Sequence, residues 1–186
     1  MGHGVEREVK LRVAGPEEAR RRVLGAGATP LRARRLQHDV LVDTADRRLL
    51  AAGTALRVRT DGDRAYLTFK GPVRPGPMKA REEIESEAAS GAALLAILAA
   101  LGYAPAFRYE KYREEYAADG AVIAIDETPI GTFVEIEGTT AAIDDLAARL
   151  GFTRADFVTA SYRTLFLAAV PDSADMLFSA STADRP

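Results

Sequence analysis

The feature that most constrains this chain is a two-residue alternation that puts charged residues on one side of extended segments and apolar residues on the other. Residues 5–13 place Val5, Val9, Leu11 and Val13 on one face and Glu6, Glu8, Lys10 and Arg12 on the other. Residues 38–43 form a short strand with a less decided pattern. Segments 55–60 and 64–70 form a hairpin across Asp61-Gly62-Asp63, with Arg57 and Arg59 opposite Leu56 and Val58, and Tyr66, Thr68 and Lys70 opposite Leu67 and Phe69. Segment 79–87 sets Lys79, Arg81, Glu83 and Glu85 against Ala80 and Ile84; Glu82 falls on the outer side. Segment 107–117, carrying Lys111 and Arg113 on one face, joins 121–127 through Asp119-Gly120. Asp126 shares a face with Val122 and Ala124, and in 131–138 Glu135 and Glu137 oppose Val134 and Ile136. Eight strands joined mainly by tight turns predict a largely antiparallel sheet.

Helices occupy the longer gaps. Pro16-Glu17-Glu18 opens one that ends at Gly25 or Gly27. Ser90 caps a second, running to Leu101 before Gly102; it is apolar almost all round and is expected to be buried. A third starts near Thr140 and closes at Gly151, and a fourth covers Ser161–Ala169. One domain is expected over residues 1–170. From Pro171 to Pro186 the chain is rich in Ser, Asp and Ala and is expected to fray, with Met176-Leu177-Phe178 as the segment able to dock.

An antiparallel sheet with one wet face is the ordinary source of such alternation. Here, however, clustered Arg and Lys and clustered acids share the charged faces of most strands, where Glu and Lys are only moderate strand formers. Only four of the 25 basic residues are lysines, Lys10, Lys70, Lys79 and Lys111, and all four lie on these faces. Turning the charged faces inward makes a closed barrel with a polar lumen, its apolar outside covered by helices: an α+β fold built on an eight-stranded tunnel. Converging Arg and Lys suit a polyanion such as a phosphate chain. Carboxylates in the same cavity suit hard divalent cations, and Mg²⁺ commonly bridges carboxylates and phosphates. A metal-free internal salt-bridge network is the alternative reading of the same pattern.

Composition excludes other classes. With 25 basic against 27 acidic residues, bulk neutralisation of nucleic acid or an anionic membrane is not the expected task. The absence of cysteine excludes disulfides, thiolate metal sites and cysteine nucleophiles. There is no apolar run long enough to span a bilayer and no signal-like N-terminal stretch, so a cytoplasmic location is the default expectation. There is no Walker loop, H-E-x-x-H or G-x-S-x-G motif. His3 and His38 stand in no ligand spacing and read as incidental.

The E-x-E-x-K run Glu6–Lys10 is followed in order by Leu56-Arg57-Val58-Arg59, Leu67-Thr68-Phe69-Lys70, Arg81–Glu85, Lys111-Tyr112-Arg113, Asp126 and Gly131–Glu137. This ordered set, across residues 5–167, resembles the CYTH superfamily of triphosphate tunnel enzymes. That superfamily includes class IV adenylate cyclases, thiamine triphosphatases and inorganic triphosphatases. The resemblance implies an eight-stranded tunnel in which Mg²⁺ or Mn²⁺ binds Glu6, Glu8, Glu135 and Glu137, supported by Asp126 and Glu83 or Glu85. It implies phosphate binding by Lys10, Arg57, Arg59, Lys70, Arg81, Lys111 and Arg113, with Lys10, Arg57, Arg59, Lys70 and Arg113 as the catalytic set. Lys79 and Arg108 are evenly balanced between site and scaffold. The implied substrate is ATP or inorganic triphosphate, with no nucleic-acid or membrane partner. The Leu67–Pro72 and Asp126–Gly138 stretches look most like class IV adenylate cyclases, which make cyclic AMP and pyrophosphate. A triphosphatase and a non-catalytic polyphosphate-binding module are the alternatives. Thiamine triphosphate is less favoured because no lysine follows Lys111, although Arg163 stands where a late cation is needed.

Overall fold

The computed structural model describes residues 2–179; the side chain of His3 and residues 180–186 lie outside the described residues. Eight strands close into a barrel: β1 (Gly2–Val13), β2 (Thr29–Thr44), β3 (Ala55–Asp61), β4 (Arg64–Lys70), β5 (Lys79–Ala88), β6 (Tyr103–Ala118), β7 (Ala121–Thr128) and β8 (Gly131–Glu137). Their order around the barrel is β1-β5-β4-β3-β2-β6-β7-β8, every neighbouring pair is antiparallel, and β8 pairs back onto β1. The expected tunnel is therefore the observed one. Hairpin chemistry sets its register: Asp119 and Gly120 both take positive φ between β6 and β7, as a two-residue turn matched to the strand twist requires.

β1 starts three residues early, at Gly2, and two further strands exceed their expected length by more. β2 begins at Thr29 rather than 38, because Thr29–Leu36 extends past β3 and pairs with β6 through register shifts near Pro30 and Arg32. β6 begins at Tyr103, with Pro105 beside the irregularity between Leu41 and Val42 where its missing N–H is tolerated. Arginines and prolines hide both extensions from a hydrophobic-period reading.

Helices flank the strands: α1 (Pro16–Gly25), the one-turn α2 (Arg48–Ala51), α3 (Gly91–Ala100), α4 (Thr140–Arg149) and α5 (Tyr162–Ala169), with α2 and the start of α5 at the lumen. Ser90, Thr139 and Ser161 cap the last three through side-chain oxygens that accept from Ala93, Ala142 and Thr164 N–H. The main core lies between α1, α4 and the outer faces of β1, β7 and β8, where Val9, Leu11, Ile123, Ile125, Val134 and Ile136 meet Val23, Ile143 and Leu146. The expected burial of α3 is corrected. It packs Leu98, with Leu94 and Leu95, on Val42 and Val58, while Ile97 stays 57% and Leu101 69% exposed. The barrel interior belongs to charged side chains, so a helix lying singly on the outside buries one side only.

After α4 the chain wraps the barrel. Val158 exchanges backbone hydrogen bonds with Lys10 at 3.1 and 2.9 Å, beyond the point where β5 leaves β1. Met176 is fully buried; its N–H donates to the Arg108 carbonyl, and its carbonyl accepts from Glu110 N–H. Docking thus prevails over fraying for Met176, and Phe178 follows with its ring 5.3 Å from that of Tyr112.

Leu146→Ala is expected to cost about 3 kcal/mol, from lost burial and the cavity left beneath α4. Ile97→Ala on the open side of α3 should stay within about 0.5 kcal/mol. Equilibrium urea unfolding of the two variants checks both values.

Candidate active site

A cavity of about 660 Å³ runs through the barrel, lined by side chains from β1–β6, β8, α2 and the start of α5. Its centre is an ion-pair lattice. Lys10 Nζ donates to Glu8 Oε1 at 3.1 Å and lies 3.2 Å from Glu135 Oε1. Arg113 forks onto both oxygens of Asp126 at 2.6 and 2.5 Å and also meets Glu135. Lys111 donates to Asp126 at 2.8 Å. On the other side, Lys70 contacts Glu6 at 2.9 Å and also Glu83, and Arg81 lies 3.5 Å from Glu6. Arg57 reaches Thr68 at 3.1 Å and Glu85 at 3.5 Å.

The structure brings all seven predicted phosphate-binding cations to this cavity, and each one is paired with a carboxylate. The acids divide into two groups. Glu6, Glu8, Glu83 and Glu137 share one stretch of the lumen, and each feels the charge of others in the set. Asp126 stands apart: it is fully buried, absent from the cavity wall, and accepts from Lys111, Arg113 and the Tyr162 hydroxyl. Glu135 is held by Lys10 and Arg113, and Glu85 by Arg57 and Thr68. Lys79 belongs to the site, 2.6 Å from Glu8, whereas Arg108 pairs with Asp175 outside it. Arg163 lines the cavity beside Phe107.

Burial opposes every one of these charges, and the partners decide which survives. Burial disfavours the carboxylates of Glu8 and Glu135, yet Lys10, with Lys79 for Glu8 and Arg113 for Glu135, outweighs it and holds both well below the usual carboxylate range. Lys10 stays above the ordinary lysine value, because Glu8 and Glu135 overcome its desolvation. Lys79 and Lys111 both fall to about 8: desolvation leads in each, reinforced by Lys10 beside Lys79 and by Arg113 beside Lys111. Glu137, at the rim and partly open to solvent, is pushed up to about 7 by desolvation and by Glu6, Glu8 and Glu83.

Several residues of the lumen escaped the sequence reading. Asp39 is fully buried and accepts from Arg59 at 2.9 Å, with Arg57 Nε 3.4 Å away. Gln37 donates to Asp61 at 2.8 Å, and Arg35 ties Asp61 to Glu115. Gln37, Asp39 and Leu41 alternate along one face; Asp39 and Leu41 already lie in the expected 38–43 strand, whose undecided pattern hid its inward face, and a one-residue extension adds Gln37. Tyr162 carries no such signal, because a helix sequence does not say which barrel residue it meets.

The donor chemistry of Glu6, Glu8, Glu83 and Glu137 fits a hard divalent cation: all are carboxylates, and Glu137 is raised first by desolvation and then by the like charge of the other three. Among the described residues no three acids stand as a ready-made ligand triad; lysines hold Glu6, Glu8 and Glu83, and Glu137 has no ion pair there.

The class that emerges is a closed antiparallel barrel whose lumen is lined by paired charges. Residues 4–155 match the CYTH domain, and the chain belongs to that family. A Methanocaldococcus jannaschii protein named as a candidate adenylate cyclase is 25% identical over 142 residues, covering 76% of this chain and 81% of the relative. A Vibrio parahaemolyticus structure, likewise named as a candidate adenylate cyclase, superposes with a TM-score of 0.78 at 20% identity, over 89% of this chain and 99% of its own. A Pyrococcus horikoshii protein does so at 0.76 and 25%, over 88% and 99%. Among the described residues no helix is long and apolar enough to cross a membrane.

In chelator-treated protein, Glu137 should stabilise the fold fully below its ordinary value of 4.5 and lose that contribution as pH rises through about 7. Glu137→Gln should therefore gain stability relative to wild type between pH 5 and 8. Solvent screening at the rim keeps the gain below about 1 kcal/mol. Melting temperatures of both proteins across that range give the measurement; an unchanged difference would overturn the assignment.

Proposed function

We propose that this protein is a metal-dependent enzyme that converts a triphosphate inside the tunnel, with ATP cyclisation as the leading reaction. The observation that carries the reading is the mutual neutralisation of the lumen charges. A polyphosphate can take the cations only if the carboxylates they leave find another positive partner. A divalent ion arriving with the polyphosphate is such a partner, and the exchange costs no net buried charge. Glu6, Glu8, Glu83 and Glu137 would hold that ion, which supplies neutralisation of phosphate oxygens when bound.

The chain's own residues do the rest. Lys10, Arg57, Arg59, Lys70, Arg81, Lys111 and Arg113 bind and orient the phosphates and stabilise charge spread over the reacting phosphoryl group. The barrel wall holds these cations around the substrate and fixes the line of attack. In cyclisation the ribose 3′-oxygen bonds to the α-phosphorus, its bond to the bridging oxygen breaks, and pyrophosphate leaves with the electron pair as the hydroxyl proton passes to solvent. The cavity volume, within the range of sites for drug-sized ligands, supports a substrate larger than a bare phosphate chain.

Hydrolysis of the terminal phosphate is the second reading. It is favoured by a Hippeastrum protein of the same fold (TM-score 0.68, 19% identity), described as an adenylyl cyclase candidate with a dominant triphosphatase activity.

³¹P NMR with Mg²⁺ or Mn²⁺, run separately on ATP and inorganic triphosphate, separates them. Pyrophosphate with cyclic AMP from ATP supports the cyclase; orthophosphate establishes hydrolysis; line broadening without turnover establishes a binding module. Glu8→Gln is expected to lower turnover at least tenfold, about 1.4 kcal/mol in barrier, while retaining measurable triphosphate binding. Calorimetry should also show triphosphate binding more tightly with Mg²⁺ than with chelator; equal affinities would sink the exchange.

A further inference from the structure

Tyr162 opens α5, the helix that the wrapped C-terminal segment lays against the barrel, and its side chain reaches the lattice from outside the strands. It is buried, and its hydroxyl donates to Asp126 Oδ2 at 2.8 Å. Asp126 is the carboxylate on which Lys111 and Arg113 converge. The Tyr162 ring centroid lies 5.1 Å from Lys10 Nζ and 5.2 Å from Lys111 Nζ, inside the range where a ring quadrupole attracts an ammonium. Phe133, at 5.4 Å and nearly edge-on, and Tyr109, at 6.5 Å, fix the ring in place. One side chain therefore touches both lysines directly and restrains the arginine beside them through Asp126.

We propose that Tyr162 is a positioning residue for triphosphate binding: it holds the Lys10 and Lys111 ammoniums in the array that the phosphates meet. The assignment rests on the triphosphate reading above and extends it to α5, so the site is complete only with that helix docked. Lysine side chains have four rotatable carbons and no intrinsic direction. Glu8 and Glu135 draw Lys10 towards β1 and β8, while Asp126 draws Lys111 towards β7. The ring lies near both ammoniums, and its attraction strengthens in a desolvated lumen. A phosphate chain accepts from both lysines only if their separation is set beforehand, which is preorganisation supplied by the ring rather than by a strand.

The ring and the hydroxyl are separable. Tyr162→Phe keeps the ring and removes the bond to Asp126; Tyr162→Leu removes both. Phe166→Leu is the structural control, since Phe166 belongs to the same apolar cluster and packs 5.9 Å from Phe107, on the same helix. The probe is inorganic triphosphate with Mg²⁺, read by calorimetry and by KM and kcat where turnover occurs, alongside each melting temperature. Tyr162→Leu is expected to weaken triphosphate binding about tenfold, seen in KM more than in kcat. Tyr162→Phe should restore affinity to within about threefold of wild type, and Phe166→Leu should lower the melting temperature with affinity unchanged. Affinity of folded Tyr162→Leu within twofold of wild type would overturn the proposal, as would parallel loss of affinity in Phe166→Leu. Wild-type protein that fails to bind triphosphate would overturn the functional reading and this inference with it. Wild-type binding with unaltered Tyr162→Leu would overturn this inference alone.

Discussion

The structure depends on a lumen in which buried charges neutralise one another. Lys10 between Glu8 and Glu135, Arg113 between Glu135 and Asp126, and Lys70 between Glu6 and Glu83 form a chain of partners from strand to strand. An isolated charge at these depths would cost several kcal/mol, so each one requires its neighbour to be in register. A one-residue slip of any strand would send its charges outward and apolar residues into the lumen. Closing the barrel and filling it with ions are thus one constraint seen from two directions.

The same constraint shapes the outside. With polar side chains inside, the hydrophobic core must form between barrel and helices rather than within the barrel, and α1 and α4 provide its larger part. The smaller aromatic cluster of Phe107, Phe133, Tyr162 and Phe166 forms where inward-facing strand residues turn apolar and α5 covers them. Met176 joins that cluster, so the chain beyond α5 secures the helix that carries Tyr162. Stability at this end and geometry at the lysines are linked through one helix.

A ligand of one sign meets resistance in such a lattice, because it frees as many charges as it satisfies. The polyphosphate and counter-cation proposed above would avoid this by exchanging partners on both sides, and for the proposed reaction the cations stand in place beforehand, which is electrostatic preorganisation.

The strand pattern was legible because alternation is a local property: Glu6, Glu8 and Lys10 share a face whatever the rest of the chain does. So were the helix starts, where Ser90, Thr139 and Ser161 act on N–H groups three residues away. The sequence by itself determined eight strands, their charged faces and the family-like order of motifs. Only the tertiary structure decided that Asp126 serves Lys111, Arg113 and Tyr162 away from the cavity wall, that α3 leaves Ile97 and Leu101 in water, and that Tyr162 reaches the lysines. Those facts turn on which side chains meet across distances of 13 to more than 100 residues, and no local period encodes such a meeting; barrel closure does.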